Sequence, residues 1–320
     1  MLIHGPQLQE FDLIRGKASW ILLGKESEQA KNDCKEHGTP MLSLVAGKTV
    51  GVAKNIKPTI VRMPCRYDHR GVKRGMQGAD WIDGLSKIND RLDRSTPTVV
   101  LMAVFWTPAW FPGPDGMNNW YGFLWRHKEL LDEMAKKGAI LVTGTGNEGY
   151  NHVRGVPGTY GKPGLGSLYV PELIVVGGLA VDQTEKETEL WSIWGNHEDE
   201  AGVPHVYAPG RNMIALEGNK ALWIPPSNGL LGCSGTSCSA AMTAGLAAYY
   251  IRLAQLGLIK ADTTPAAIKD LIIKTSWSRR GVSGAPRKGI WNSVDVVSPA
   301  KEWTPNPASV RLLFARKFHA

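Results

Sequence analysis

The amino-acid sequence predicts an α/β protein in which helices cover both faces of a doubly wound, mostly parallel sheet. Three short apolar runs support this prediction, at residues 98–106, 139–143 and 173–178. Runs of this length are too short for most helices and are typical of strands that are buried on both faces. Segments with helical spacing alternate with these runs, and such alternation indicates a parallel sheet covered by helices.

The first part of the chain contains two further predicted strands and one helix. Residues 20–23 and 58–63 are short apolar segments, and we interpret both as strands. Between them, the sequence His-Gly-Thr at 37–39 is a loop that turns into an apolar helix, which ends near Gly47. Residues 50–55 then form a turn.

Two longer helices are predicted in the middle of the chain. Residues 79–92 carry apolar side chains at helical spacing, among them Trp81 and Leu85. A loop rich in Pro, Gly and Trp precedes the second helix. That helix is predicted over residues 121–137 and stops at Gly138, because glycine commonly ends a helix.

The stretch 231–248 begins with small residues and continues into Ala, Met and Leu, the composition of a buried helix. Ser237 therefore lies at or near a helix N-terminus, where unpaired N–H groups and the positive end of the helix dipole are found. Two interpretations of Ser237 are open. It is either a helix-capping serine, which is the commoner feature, or a nucleophile. In the second case, the oxyanion that forms when it attacks a carbonyl group meets preorganised donors. A further helix is predicted over 264–274, with Pro265 near its first turn.

Composition and charge exclude several classes of protein. The chain has 320 residues, 43% hydrophobic and 21% charged, which is ordinary for a globular protein with a sizeable core. Its formal charge of +8 comes from scattered Lys and Arg residues without a nucleic-acid motif, so we expect no nucleic-acid partner. No apolar run reaches the length of a membrane span, so no membrane partner is expected. Four cysteines are too few for a disulfide framework in this length.

Three glycine-edged loops carry residues that acyl transfer needs, at 37–39, 146–149 and 235–237. Such chemistry requires a hydroxyl, an imidazole that takes its proton, and an N–H donor for the oxyanion. In an open α/β sheet these groups gather at the carboxyl ends of the strands. Each loop alone is ordinary, since a lone His before Gly is usually a surface residue and a lone Asn between glycines is usually a turn former. Together and in this order, the three loops are a specific signal for an acyl-transfer site.

At these residues the chain resembles the subtilisin-like serine peptidases, the subtilases. The similarity comprises the histidine region at 37–39 and 47–53, the oxyanion-asparagine loop at 146–149, a landmark at 206–210, and the serine motif at 235–237 with Ala244-Gly245. It covers about residues 37–275. A Ser hydrolase of another type is disfavoured, because the Gly-Xaa-Ser-Xaa-Gly elbow is missing around Ser237.

The resemblance implies a serine endopeptidase that acts on protein or peptide substrates. It implies His37 as general base, Asn147 as oxyanion donor and Ser237 as the nucleophile that forms an acyl-enzyme. No metal-ligand cluster is evident in the sequence and no cofactor is expected. Structural calcium remains open, since family calcium sites are often built from loop carbonyls.

The chain departs from the family at the acidic member of the triad. The family's Asp-Thr/Ser-Gly motif, which should precede the histidine region, is absent, and residues 3–8 resemble the stretch that follows that motif. We therefore expect a peptidase domain over 1–298 that lacks its first strand, followed by a basic tail over 299–320. Neither Asp12 nor Asp33 fits the missing motif. The alternative function is a catalytically silent homologue that acts as a binding or regulatory module.

A second departure concerns the substrate-binding edge, where the family has Ser-Leu-Gly and this chain has Ala103, Val104, Phe105 and Trp106. Glycine there lets a substrate backbone and its P1 side chain approach closely, and a large aromatic ring would fill that space. We predict that one of the two rings restricts the P1 side chain to small residues or blocks it. Two other changes, Pro40 and Ala241 at family His and Pro positions, are interpreted as packing changes.

Overall fold

A computed structural model of the chain describes residues 10–14, 16–23, 37–64, 66–67, 73–74, 76–111, 113–147, 153–179, 202–211, 213–216, 230–280 and 286–290. The helices are α1 (Gly38–Ala46), α2 (Gly78–Arg91), α3 (Gly116–Lys136), α4 (Thr236–Gln255) and α5 (Pro265–Thr275). Short 3-10 segments lie at Pro108–Trp110, Gly158–Gly161 and Pro163–Leu168. The strands are β1 (Ser19–Leu22), β2 (Thr59–Arg62), β3 (Arg66–Tyr67), β4 (Lys73–Arg74), β5 (Thr98–Met102), β6 (Ala139–Gly144), β7 (Ile174–Leu179), β8 (Val206–Pro209), β9 (Met213–Leu216), β10 (Leu230–Cys233), β11 (Trp277–Arg280) and β12 (Pro286–Gly289). Some predicted features lie outside the described residues: Asp33, Glu148 and Gly149 of the asparagine loop, and the tail at 299–320.

The main sheet has six strands in the order β11-β12-β8-β7-β6-β5. Neighbours from β5 to β8 are all parallel, β12 pairs in parallel with β8, and only β11 runs antiparallel to β12. The predicted mostly parallel sheet is therefore confirmed. Strands β6 and β7 are buried at every position, as their uninterrupted apolar runs predicted.

One predicted strand is shorter than its apolar run. The run at 98–106 was predicted to be a single buried strand, but β5 ends at Met102. Trp106 forms an isolated antiparallel bridge with Val156 instead, with N···O distances of 2.8 and 2.9 Å. The last four residues are therefore apolar because they pack in a loop, and an apolar run alone does not distinguish this from a strand.

Two helical layers cover the main sheet, as predicted. On one face α2 and α3 pack on alternate strand residues, including Ala139 and Leu141 of β6. On the other face α4 and α5 pack on the intervening residues, including Ile140 and Val142. This strict alternation follows from the two-residue period of a strand.

A separate two-stranded parallel sheet, β1 with β2, lies beside the main sheet. Helix α2 packs on both sheets. A Cβ added at its Gly84 would meet Leu23 and Val61 beside the small sheet at 3.2 and 3.3 Å, and its Leu85 belongs to the cluster that includes Met102 of β5. The remaining described strands form the antiparallel pairs β3–β4 and β9–β10.

Helices α1 and α4 pack together and run in the same direction. Near their N-termini, Met41 of α1 shares a buried cluster with Cys238 of α4. Further along, a Cβ at Gly245 of α4 would lie 3.2 Å from the Val45 carbonyl oxygen of α1. The two helix N-termini therefore lie at the same end of the helix pair. None of the described helices is both long and apolar enough to span a membrane.

Candidate active site

The turn before α4 depends on a glycine. Gly235 is the N-cap residue, with φ +134° and ψ 161°, a conformation that is essentially restricted to glycine. The helix then begins at Thr236, and Ser237 is its second residue. Ser237 therefore does not cap the helix, and the interpretation as an N-cap serine is not supported.

Hydrogen bonds and close packing fix the first turn of α4 to the ends of the parallel strands. The Gly235 N–H donates to the carbonyl oxygen of Gly210, just after β8, at 2.7 Å. The Ser239 hydroxyl donates to the carbonyl oxygen of Pro209 at 3.2 Å. At the end of β6, a Cβ on Gly144 would lie 2.7 Å from Thr236 Oγ1, so only glycine permits this close approach. Ser237 is thereby placed at the carboxyl ends of the sheet strands, where α/β proteins bind ligands.

The side chain of Asn147 is held in one orientation by Thr236. Its Oδ1 accepts a hydrogen bond from the Thr236 backbone N–H at 2.9 Å and lies 3.2 Å from Thr236 Oγ1. The Thr236 hydroxyl also bonds to Gly146, donating to its carbonyl oxygen at 3.0 Å and accepting from its N–H at 3.2 Å. Because Oδ1 is used by Thr236, the Nδ2 donors of Asn147 remain for another acceptor.

The hydroxyl of Ser237 is half-buried and donates to the carbonyl oxygen of Ala103 at 3.1 Å. Ala103 directly follows β5, so the predicted nucleophile and the first residue of the predicted substrate edge are in contact. A neutral hydrogen bond of this kind contributes about 1 kcal/mol, and a rotation about χ1 releases the hydroxyl.

His37 lies at the N-terminus of α1 and is exposed to solvent. Its backbone carbonyl accepts from the Met41 N–H at 3.4 Å, so the residue is fixed to the first turn of the helix. Since α1 and α4 run in the same direction, the fold places His37 and Ser237 at neighbouring helix N-termini.

The four residues of the predicted substrate edge divide into two groups. Ala103, Val104 and Phe105 are half-buried, whereas Trp106 is only 1% exposed. The Phe105 ring packs on Gly155, where an added Cβ would lie 2.9 Å from Phe105 Cδ2. The Trp106 indole lies in an aromatic core with Trp81, Trp110, Phe111 and Phe123. Phe105 is therefore the aromatic ring that borders the solvent-accessible side of this edge.

A known protein family matches most of this chain. The family model of the subtilase family matches residues 23–294. The chain belongs to the subtilase family. This subtilase is 26% identical over 290 residues to a cuticle-degrading serine protease of Arthrobotrys oligospora, covering 88% of this chain and 57% of that protein. It is 25% identical to an alkaline extracellular protease of Yarrowia lipolytica, covering 88% and 54% respectively. The chain thus spans about half the length of these relatives.

Solved structures show the same fold. A cold adapted subtilisin-like serine proteinase superposes with a TM-score of 0.58 at 18% identity, covering 89% of this chain and 84% of that one. Sphericase superposes with a TM-score of 0.56 at 16% identity, covering 81% and 77%. The subtilisin-like α/β fold predicted from the sequence is confirmed.

Sequence reasoning missed Thr236, which holds Asn147 in place. One signal was available: Thr236 sits beside Ser237 in the same glycine turn, and hydroxyl residues at helix starts commonly bond to nearby backbone groups. The bond to Asn147 spans 89 positions of the chain, so local pattern did not reveal it.

A buried histidine in the aromatic core of this subtilase was also missed. His127 of α3 is fully buried, and its Nε2 accepts from Trp81 Nε1 at 3.2 Å. Burial lowers the pKa of His127 to about 3, so the ring is neutral and Nδ1 carries the proton. That Nδ1 finds no hydrogen-bond partner among the described residues. The core therefore contains a titratable group that no sequence pattern marked.

A second buried pair is centred on His205, which directly precedes β8. His205 Nδ1 accepts from the Val175 N–H at 3.0 Å, and its Nε2 lies 3.2 Å from Lys269 Nζ. Burial first, and then the Lys269 charge, lower the pKa of His205 to about 3. Burial lowers the pKa of Lys269 to about 8, while its ammonium donates to the Pro171 carbonyl oxygen at 2.6 Å. Among the described residues no cluster of three or more His, Cys, Asp or Glu side chains could hold a metal ion.

Proposed function

We propose that this subtilase is a serine endopeptidase that hydrolyses peptide bonds through an acyl-enzyme on Ser237. His37 acts as general base and Asn147 as oxyanion donor. One observation carries the proposal: Thr236 fixes Asn147 beside Ser237, in the first turn of α4, with its amide donors free of that contact. A donor that is fixed before the reaction costs no reorganisation when the oxyanion forms.

Each of the three side chains has one role in the proposed reaction. Ser237 Oγ leaves its bond to the Ala103 carbonyl oxygen, gives its proton to the His37 imidazole and attacks the substrate carbonyl carbon. Asn147 Nδ2 donates to the oxyanion of the tetrahedral intermediate. Collapse of this intermediate breaks the peptide bond, and the imidazolium returns the proton to the leaving amine. Water then repeats the sequence on the acyl-enzyme and restores the free hydroxyl.

We further propose that the substrate is a peptide with a small P1 side chain. The support is the position of Phe105: it lies two residues after Ala103, whose carbonyl contacts the nucleophile, and its ring packs on Gly155. A ring at this place occupies space that a large P1 side chain needs. Cleavage after Gly or Ala is then favoured over cleavage after Phe or Leu, because a large P1 side chain and the Phe105 ring cannot fill the same volume.

The proposal is tested with an active-site-directed fluorophosphonate, which reacts only with an activated serine oxygen. Wild-type protein becomes labelled on Ser237, and Ser237→Ala abolishes the label. Ser239→Ala is the matched control, because it removes a hydroxyl from the same turn that bonds only to the Pro209 carbonyl oxygen in the described structure. That variant keeps its label, located by mass spectrometry of the proteolytic peptides.

Two results would contradict the proposal. Undiminished labelling of Ser237→Ala would place the reactive group elsewhere. A folded wild-type protein that takes no label and cleaves no peptide would instead favour the catalytically silent homologue.

A further inference from the structure

Two cysteines flank the nucleophile. Cys233 ends β10, and Cys238 directly follows Ser237 in the first turn of α4. Both are free thiols, Cys233 half-buried and Cys238 buried. Cys233 packs against the buried cluster that contains Cys238, so the two thiols lie near each other across the Ser237 turn. No role in the proposed peptide hydrolysis uses either sulfur.

Cys238 occupies a position between the two helices that carry the catalytic candidates. It packs with Met41 and Leu44 of α1 and with Ala241 of α4 in one buried cluster, and Cys233 contacts the same cluster from β10. The two cysteines therefore lie in the cluster where the first turns of α1 and α4 pack together, and Cys238 directly follows Ser237.

We propose that Cys233 and Cys238 form a reversible dithiol–disulfide pair, and that the disulfide displaces the turn at 234–236 and lowers the peptidase activity. The effect on activity rests on the proposed function, whereas bond formation and the movement of the turn do not.

The oxidant is a low-molecular-weight disulfide of the glutathione class. The thiolate of Cys233 attacks one sulfur of that disulfide, which breaks its S–S bond, releases one thiolate and leaves a mixed disulfide on Cys233. Cys238 then loses its proton and attacks Cys233 Sγ, which forms the internal bond and releases the second small thiolate. Two protein thiols are oxidised and one small disulfide is reduced. The partial exposure of Cys233 makes it the first sulfur to react.

The thiol environments agree with this order of attack. The side-chain interaction with Cys233, followed by burial, raises the pKa of the Cys238 thiol far above its ordinary range. A thiol in this state is a poor first nucleophile toward a disulfide in solution. It reacts only once the mixed disulfide has been formed next to it.

Formation of the disulfide requires the two sulfurs to approach each other, so the turn between them must move. The two free thiols are not bonded, and non-bonded sulfurs lie well over ~1 Å further apart than the ~2.0 Å of an S–S bond. The first turn of α4 is held by Thr236 on Asn147 and by Ser239 on Pro209. By contrast, β10 pairs only with β9 among the described strands, so Cys233 is the sulfur that moves.

Displacement of the turn also moves the residue that contacts the proposed oxyanion donor. Gly235, between the two cysteines, donates to Gly210 at 2.7 Å and contacts the Asn147 amide, where an added Cβ would lie 3.3 Å from Nδ2. A shift of Gly235 therefore changes the position of Asn147 relative to Ser237. A misplacement of about 1 Å in an active site costs on the order of 10²-fold in rate, so we expect a loss of about 10- to 100-fold.

The experiment uses the full chain with Cys34→Ser and Cys65→Ser, so that only one thiol pair can form. The protein is treated with oxidised glutathione and then with dithiothreitol. Three quantities are measured in each state: intact mass after alkylation, hydrogen exchange of the peptide that covers 234–238, and hydrolysis of a peptide substrate. Cys233→Ala and Cys238→Ala in the same background are the matched controls, and two variants ensure that one folded control is available.

The expected result is a protein that loses two hydrogen atoms in mass, takes no alkylating agent at the pair, exchanges faster at 234–238, and loses about 10- to 100-fold in activity. Dithiothreitol reverses all four changes. Cys233→Ala does not respond to oxidation, and Cys238→Ala stops at the glutathione mixed disulfide on Cys233, without faster exchange at 234–238. The proposal is overturned if both thiols stay alkylatable at an oxidising glutathione ratio, or if the disulfide forms without faster exchange. If mass and exchange change but the reduced protein has no activity, the proposed function fails and the thiol pair stands.

Discussion

The amide oxygen of Asn147 accepts a hydrogen bond from the backbone N–H of Thr236 at 2.9 Å, which joins the end of β6 to the start of the Ser237 helix. This bond fixes the orientation of the Asn147 amide. The oxygen is used by Thr236, and the nitrogen is left for the oxyanion in the proposed mechanism. The two halves of one side chain can therefore be tested separately.

Asn147→Asp separates these two roles. The aspartate keeps an oxygen that accepts from Thr236 N–H, but it replaces the Nδ2 donor by a second acceptor with negative charge. We expect kcat to fall by about 10²–10³-fold or more, as the loss of this type of donor does in subtilisin, with little change in melting temperature. Steady-state kinetics and thermal unfolding measure the two quantities.

Thr236→Val is the matched control for Asn147→Asp. It removes the hydroxyl that bonds to Gly146 and to Asn147 Oδ1, and it keeps the backbone N–H that also holds Asn147. We expect a loss of stability of about 1–3 kcal/mol, because the Gly146 groups remain buried without this partner, and a smaller effect on kcat. An Asn147→Asp variant that keeps its full kcat would remove Asn147 from the mechanism.

Phe105→Ala is expected to widen the P1 preference. The half-buried ring packs on Gly155 beside the Ala103 carbonyl, so its removal opens space next to the nucleophile. We expect kcat/KM for substrates with Phe or Leu at P1 to rise by at least about tenfold, while kcat/KM for Ala at P1 changes little. A library of peptides that differ only at P1 measures this selectivity.

Trp106→Ala provides the contrast for Phe105→Ala. Its indole is 1% exposed within the aromatic core, so its loss creates a cavity that costs about 3–5 kcal/mol. We expect lower stability without a gain for large P1 residues. A wild-type enzyme that already cleaves after Phe, with no gain in Phe105→Ala, would show that this ring does not restrict P1.

Stability is expected to fall as the pH falls below about 6.5. His127 and His205 have folded pKa values of about 3, whereas the unfolded chain binds a proton near the ordinary value of about 6.5. Between these values the unfolded state holds more protons, so acid favours it, and each histidine removes about 2 kcal/mol at pH 5 relative to neutral pH. Urea unfolding at several pH values measures the slope. His127→Gln, which keeps an acceptor for Trp81 and does not titrate, should lose about half of it, and an unchanged slope would contradict the assignment.

Lys269 is expected to change the pH dependence of stability at alkaline pH. Its folded pKa is about 8, against about 10.5 in the unfolded chain, so the unfolded state holds more protons between these values. Its contribution to stability therefore rises with pH from about 8 to about 10.5. Lys269→Met removes this rise. At neutral pH, removal of the buried charge stabilises the folded protein, whereas the unpaired Pro171 carbonyl destabilises it. These two effects offset each other, so we expect a small net change in the free energy of unfolding at that pH. A variant that keeps the wild-type slope would assign the rise to another group.

Helices α1 to α5 and strands β1, β2 and β5 to β7 were predictable from local patterns, whereas the remaining described strands were not predicted. The uninterrupted apolar runs that became β6 and β7 need no distant partner to be recognised as buried strands. The glycine before Thr236 and the small residues after it predicted the start of α4. The resemblance added the roles of His37, Asn147 and Ser237, and the fold places the first and last at neighbouring helix N-termini. The upstream acidic strand that the resemblance implies stays a prediction, and in the structure β1–β2 and the main sheet are two sheets joined by α2.

Other properties were decided only by tertiary structure, because they depend on partners far away in the chain. The run at 98–106 is uniformly apolar, and only the pairing of Trp106 with Val156 ends β5 at Met102. The pKa of His127 depends on burial against Trp81, 46 positions away. Residue type and period determine which segments form helices and strands, since those forces act between near neighbours. Desolvation, ring packing and side-chain hydrogen bonds act across space, so the orientation of Asn147, the exposure of Phe105 and the contact of Cys233 with Cys238 exist only once the chain has folded.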